Sequence, residues 1–108
     1  MTLFTKIIRG EIPGDIVYQN EHVVAFRDIV PVAPVHVLIV PRDEIAGVAS
    51  VHDHGQHERL LNAAKTVAEQ EGLTSYRLVI NQGEDAGQTV PHLHVHLIGG
   101  RALSWPPG

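Results

Sequence analysis

The chain has 108 residues, 44% of them hydrophobic, with 8 Lys plus Arg against 12 Asp plus Glu and a formal net charge of −4. That length suits one domain, expected over residues 1–108, and the composition excludes a disordered chain. The acidic balance is a poor match for nucleic acid, the lack of cysteine excludes disulfides and thiolate metal sites, and no run approaches the ~20 apolar residues of a membrane span.

Lys6 and Arg9 fall within the first ten residues and no apolar stretch follows, so no secretory leader and a cytoplasmic location are expected. Leu3, Phe4, Ile7 and Ile8 stand at helical spacing and predict a short N-terminal helix over 3–9, ended by Gly10. Pro13-Gly14 marks a turn. Two β-like runs, 16–19 and 23–27, joined by Asn20-Glu21, predict a hairpin with His22 exposed beside its turn. Pro31-Val32-Ala33-Pro34 is a stiff connector. The run 35–40 is rich in β-branched residues, stops at Pro41 and reads as a central strand.

From Asp53 the period changes. Leu60, Leu61, Ala64, Val67 and Ala68 are expected on one face of the one long helix. Asp53 with Gln56 resembles a capping box, and Gly72 suits the position just past the end. His52, His54 and His57 cluster at the helix entrance. A metal clip with Asp53 is conceivable there, but a solvated entrance is the favoured reading. Residues 76–80 return to strand character, 81–91 form a glycine-containing loop, 92–98 form the last strand, and the tail with its two consecutive prolines is irregular. This order predicts an α+β fold: a five-stranded, mainly antiparallel sheet, one long helix on a face and a short N-terminal helix.

The sharpest chemical signal is His92-Leu93-His94-Val95-His96-Leu97. In a strand, alternate side chains share a face, so three imidazoles roughly 7 Å apart point one way and three apolar residues the other. Burying three imidazoles has no structural benefit, because each ring nitrogen needs a partner. His36 lies in the other strongly β run and could share their face. Two chemistries fit. Neutral imidazoles could hold zinc with an open position for water. Alternatively, one imidazole is a nucleophile whose tautomer its neighbours fix. The preceding loop favours the second. Gly87 allows close approach of backbone to a ligand, and Gln88 and Thr89 suit a phosphate seat. Glu84 and Asp85 keep the metal reading available.

The stretch GQTVPHLHVHLIGGR resembles the signature of the histidine-triad superfamily. FTKIIRGEIP, AFRDIVPVAPVHVLIVP, NQGEDAGQ and GGRALSWPPG extend the likeness over nearly the whole chain, to the Hint branch of purine nucleoside phosphoramidases. The resemblance implies roles. His94 would attack the α-phosphorus of a purine nucleotide, and water would then release the nucleoside monophosphate. His92, His96 and His36 would orient and charge-balance that ring and the phosphate oxygens. Asn81, Gly87, Gln88 and Thr89 would flank the phosphate, and Asp28 would take the ribose hydroxyls. Phe4, Ile7, Phe26 and Ile29 would line the base pocket. No metal or other cofactor would be required. The branch is typically homodimeric, with Trp105 and the tail near the partner's site. No nucleic-acid or membrane partner is expected.

Three departures stand out: Thr89 where serine is usual, Pro91 where an aromatic is frequent, and Arg42-Asp43-Glu44 in place of a more basic segment with a histidine. Other readings of the same residues are a dinucleoside polyphosphate hydrolase, a nucleotide-binding adaptor and a zinc enzyme.

Overall fold

The computed structural model describes residues 1–52 and 54–108. The elements are α1 (Leu3–Ile8), β1 (Ile16–Gln19), β2 (Val23–Arg27), β3 (Val35–Pro41), α2 (Gln56–Gln70), β4 (Tyr76–Val79) and β5 (Val95–Gly99), with 3-10 turns at Val48–Ser50 and Glu84–Ala86. The strands form one sheet in the order β1-β2-β3-β5-β4, and each neighbouring pair is antiparallel. This is the expected α+β architecture. No helix is long and apolar enough to cross a membrane, among the described residues.

The sheet has two different faces, because strand residues alternate. Val23 and Ala25 of β2, Val37 and Ile39 of β3, and Val95 and Leu97 of β5 pack against α2. The helix contributes Leu60, Ala63, Ala64, Val67 and Ala68. Leu61, expected on this stripe, is 48% exposed, and Ala63 takes its place. The physical reason is angular: consecutive helix positions differ by 100°, and a stripe through 60, 64 and 67 leaves 61 at its margin. Burying a side chain such as Leu60 contributes about 1.5–3 kcal/mol. On the opposite face, Val24, Phe26, Leu38 and Val40 pack with Phe4 of α1. A helix of six residues is marginal alone. Here the Phe4 contact and a Thr2 N-cap, whose side chain accepts from Thr5 N–H, hold it.

The proposed Asp53 cap lies outside the described residues. Gly55 is the N-cap of α2, at φ +94° and without a side-chain cap bond. At the other end Gly72 has φ +71°. Its N–H donates to Glu69 O, and Leu73 N–H donates to Ala68 O. That is the double bond pattern that satisfies helix-terminal carbonyls, and it requires the left-handed conformation glycine allows.

The last strand starts later than its alternation suggests. Its ladder runs from Ile39↔Val95 to Val35↔Gly99, so His92, Leu93 and His94 precede it. Leu93 N–H donates instead to Ile45 O, where the chain has left β3. Alternation nevertheless continues through these residues. Leu93 packs on the α2 side, and the His94 ring lies against Phe4 on the other.

Candidate active site

The α1 face is incomplete as a core. Between α1, the 12–14 turn and the loop before β5 lies an open cleft of about 260 Å³ with a largely apolar lining. α1 contributes Phe4 and Ile7, β2 contributes Phe26, and β3 contributes Leu38. Asp28 and Ile29 form one rim, Thr89 and Val90 another, and His94 and His96 close one end. Ile29 is otherwise 90% exposed. An apolar cleft with a few convergent polar groups is the usual form of a small-molecule site.

Four of the eight histidines converge here. The His94 ring lies edge-on to Phe4 at 5.0 Å between centroids and 4.9 Å from His96. His36 stands 5.2 Å beyond His96. Sequence spacing put the triad on one face, and the β3–β5 register, with Leu38 opposite His96, brings in His36.

Hydrogen-bond partners assign the tautomers. His94 Nδ1 lies 2.7 Å from His92 O. A carbonyl can only accept, so Nδ1 carries a proton and the neutral ring has its lone pair on Nε2. Val32 N–H donates to His36 Nδ1 at 3.2 Å, so neutral His36 carries its proton on Nε2. That nitrogen lies 2.9 Å from His96 Nδ1, which therefore accepts, leaving His96 a donor through Nε2. His92 Nε2 lies 2.9 Å from Pro41 O and donates to it, and His92 Nδ1 accepts from Thr2 Oγ1 at 2.9 Å.

Burial favours the neutral form of His36, His92 and His96. It lowers the pKa of His36, against the raising influence of Asp28. It lowers His92 against its bond to Pro41. His96 is pushed down to about 4, by burial first and then by His94 and His36. Desolvation disfavours the charged imidazolium in each case.

Asp28, His36 and His96 place one ligand atom each within 4.8 Å of one another. A cation on His36 Nε2 would have to take its proton and leave an imidazolate, or break the Val32 bond. The trio therefore fits a proton-fixing relay better than a metal site. His52, His54 and His57 are exposed. His22 is half-exposed and lies 3.2 Å from Glu21.

The loop residues divide by position. Gly87 has φ +97°, and a Cβ there would lie 3.8 Å from Asn81 Nδ2. Gln88 braces the loop: its Oε1 accepts from Gly83 N–H, and its Nε2 donates to Ala46 O and Val90 O. Of this group Thr89 reaches the cleft wall. Trp105 stays outside, 80% exposed, with Arg77 5.9 Å from its ring.

Sequence reasoning passed over Thr2, Thr5, Glu44 and the Pro41 carbonyl, which surround His92. Thr2 as a helix cap was a readable signal, but its second contact spans 90 residues. It also passed over Gly14, where a Cβ would strike Ile7 at the pocket wall.

The profile of the HIT domain matches residues 9–103. The chain is 50% identical over 108 residues to the purine nucleoside phosphoramidase of Escherichia coli, covering 94% of this chain and 89% of that one. It is 49% identical over 112 residues to adenylylsulfatase HINT1 of Arabidopsis thaliana, covering 99% and 76%. The crystal structure of a HIT family hydrolase from Legionella pneumophila superposes over 100% of both chains with a TM-score of 0.94 at 46% identity. On the histidine geometry, the sheet and these likenesses together, the chain belongs to the HIT domain family.

Proposed function

We propose that this protein hydrolyses purine nucleoside phosphoramidates to nucleoside 5′-monophosphates through a covalent intermediate on His94. The observation that carries the reading is the 2.7 Å bond from His94 Nδ1 to the His92 carbonyl, with His94 at the cleft wall. It leaves Nε2 as a nucleophile whose tautomer is settled before substrate arrives.

The Nε2 lone pair forms a bond to the α-phosphorus while the P–N bond breaks. The departing amine takes the proton of the Thr89 hydroxyl, which lines the same cleft as His94. The phosphorylated imidazole is cationic, and its Nδ1–H donating to the His92 carbonyl steadies that charge. Water then attacks phosphorus and returns one proton to Thr89 Oγ1, the N–P bond breaks, and His94 Nε2 regains its lone pair. His96 Nε2–H offers a donor to a non-bridging oxygen in both steps. Asp28 receives the ribose hydroxyls, and Phe4, Ile7, Phe26 and Ile29 hold the base. A largely apolar pocket has few hydrogen bonds with which to separate purines. We expect adenosine and guanosine substrates to be turned over within about tenfold of each other.

The relatives named a phosphoramidase and an adenylylsulfatase support a nucleotidyl substrate. A dimer across β4 is part of this reading. β4 is a sheet edge, and Tyr76, Leu78, Ile80 and Leu61 expose apolar surface. Light scattering should give twice the chain mass, and Leu78→Lys should halve it.

The deciding experiment follows AMP release from adenosine 5′-phosphoramidate by metal-stripped protein beside His94→Ala, with adenosine 5′-phosphosulfate in parallel. Release by the wild type alone, with a nucleotidyl adduct on His94 by mass spectrometry, is the expected result. Activity only on added zinc would replace it with the metal reading, and no release under any condition would leave a binding role.

A further inference from the structure

A second polar cluster lies behind the triad, on the side of His92 away from the substrate cleft. Glu44 follows β3, and α1 begins beside it. Glu44 Oε1 accepts from Thr2 N–H at 2.6 Å and from the Thr5 hydroxyl at 2.7 Å. Thr2 Oγ1 accepts from Thr5 N–H at 3.2 Å and lies 2.9 Å from His92 Nδ1. Thr5 Oγ1 is 3.5 Å from the same nitrogen.

These contacts have one consistent direction. His92 Nε2 donates to Pro41 O, so Nδ1 must accept. Two hydroxyls compete to serve it. Thr5 gives its proton to Glu44, the stronger acceptor, so the Thr2 hydroxyl remains to donate to His92. The carboxylate thereby selects which hydroxyl faces the ring. The two donors also hold Glu44 down at about 2, first through Thr2 N–H and then through Thr5, so it stays ionised at every working pH.

We infer that Glu44 is a positioning residue for the reaction, acting through Thr2 and Thr5 to fix the ring of His92 and, through the His92 carbonyl, the nucleophile His94. The inference rests on the hydrolase reading above. The same contacts tie down the first turn of α1, between whose two threonines stand Leu3 and Phe4, and Phe4 touches both His92 and His94. Base binding and nucleophile alignment thus share one anchor. Both contacts use a single carboxylate oxygen, so an amide oxygen can replace it, whereas a methyl cannot.

The test compares Glu44→Ala, Glu44→Gln and Thr5→Val with the wild type. It reads kcat and KM with adenosine 5′-phosphoramidate, Kd for AMP, and the imidazole nitrogen NMR shifts of His92. In Glu44→Ala, kcat should fall about tenfold and Kd for AMP rise several-fold, the scale for a small displacement of a reacting group. The His92 Nδ1 signal should move away from that of a hydrogen-bond acceptor. Glu44→Gln should restore kcat to within about threefold, and adding Thr5→Val to Glu44→Ala should cost little more. A Glu44→Ala protein with lowered melting temperature but wild-type His92 shifts and kcat would overturn the inference, since a merely structural brace would behave that way. If the wild type does not turn the phosphoramidate over, the hydrolase reading fails while the NMR arm still decides the role of Glu44.

Discussion

The two faces of the sheet are built from the same three strands and do opposite things. On the α2 face, alternate residues of β2, β3 and β5 meet a 15-residue helix and close into an apolar core. On the α1 face, the intervening residues meet a six-residue helix too short to cover them, and a cleft with a histidine row remains. The lesson is that one extended segment can present core on one side and the lining of a candidate site on the other. Leu93, Val95 and Leu97 anchor the backbone that aims His92, His94 and His96. The rigidity of one face is the alignment of the other.

Substitutions should separate the faces cleanly. The largest effect expected is from His94→Ala, which should abolish turnover by about 10⁴-fold or more while leaving the melting temperature near that of the wild type, as for a lost nucleophile. Leu60→Ala should do the reverse. It should cost about 2–5 kcal/mol in denaturant unfolding, with kcat per folded molecule unchanged. A comparable loss of kcat in Leu60→Ala would show that the faces are coupled.

His36→Phe tests the relay, because it keeps the ring and removes the donor that fixes His96. A fall in kcat of about 10- to 100-fold with little change in KM is expected in steady-state assays, from lost orientation. Asp28→Asn, on the rim, should raise KM about tenfold, the scale of one charge-assisted hydrogen bond, and lower kcat by less than His36→Phe does, because Asp28 also lies 3.4 Å from His36 Nε2.

The smallest effect is on stability against pH. His36, His92 and His96 have folded pKa values below the unfolded histidine value, with His96 near 4. Their neutral forms are favoured in the fold, so their contribution is present above about pH 6.5 and is lost as pH falls toward 4. Glu44, also depressed, loses its contribution only below about pH 4.5, as pH falls toward 2. Melting curves should therefore shift down by a few degrees between pH 7 and 5, and His96→Asn should shrink that shift. An unchanged shift would place the titration elsewhere.

How much could be read in advance depended on the range of each interaction. The triad's shared face followed from alternation over six residues, and the Gly72 helix end from local chain geometry. The start of β5 was misplaced because alternation outlasts the ladder: Leu93 still packs inward after its N–H has turned to Ile45 O. Leu61 was misassigned because helical period alone does not say how wide a stripe the sheet will cover. Gln88 suggested a phosphate contact by residue type, but its side chain braces the loop through Gly83, Ala46 and Val90.

By itself the sequence determined the element types and the two-faced sheet with its row of histidines, because periodicity and residue type act within a few neighbours. Only the tertiary structure decided which nitrogen of each imidazole carries its proton. Those assignments depend on Val32, Pro41, Thr2 and the β3–β5 register, partners brought together by packing. The contact between Thr2 and His92 spans 90 positions.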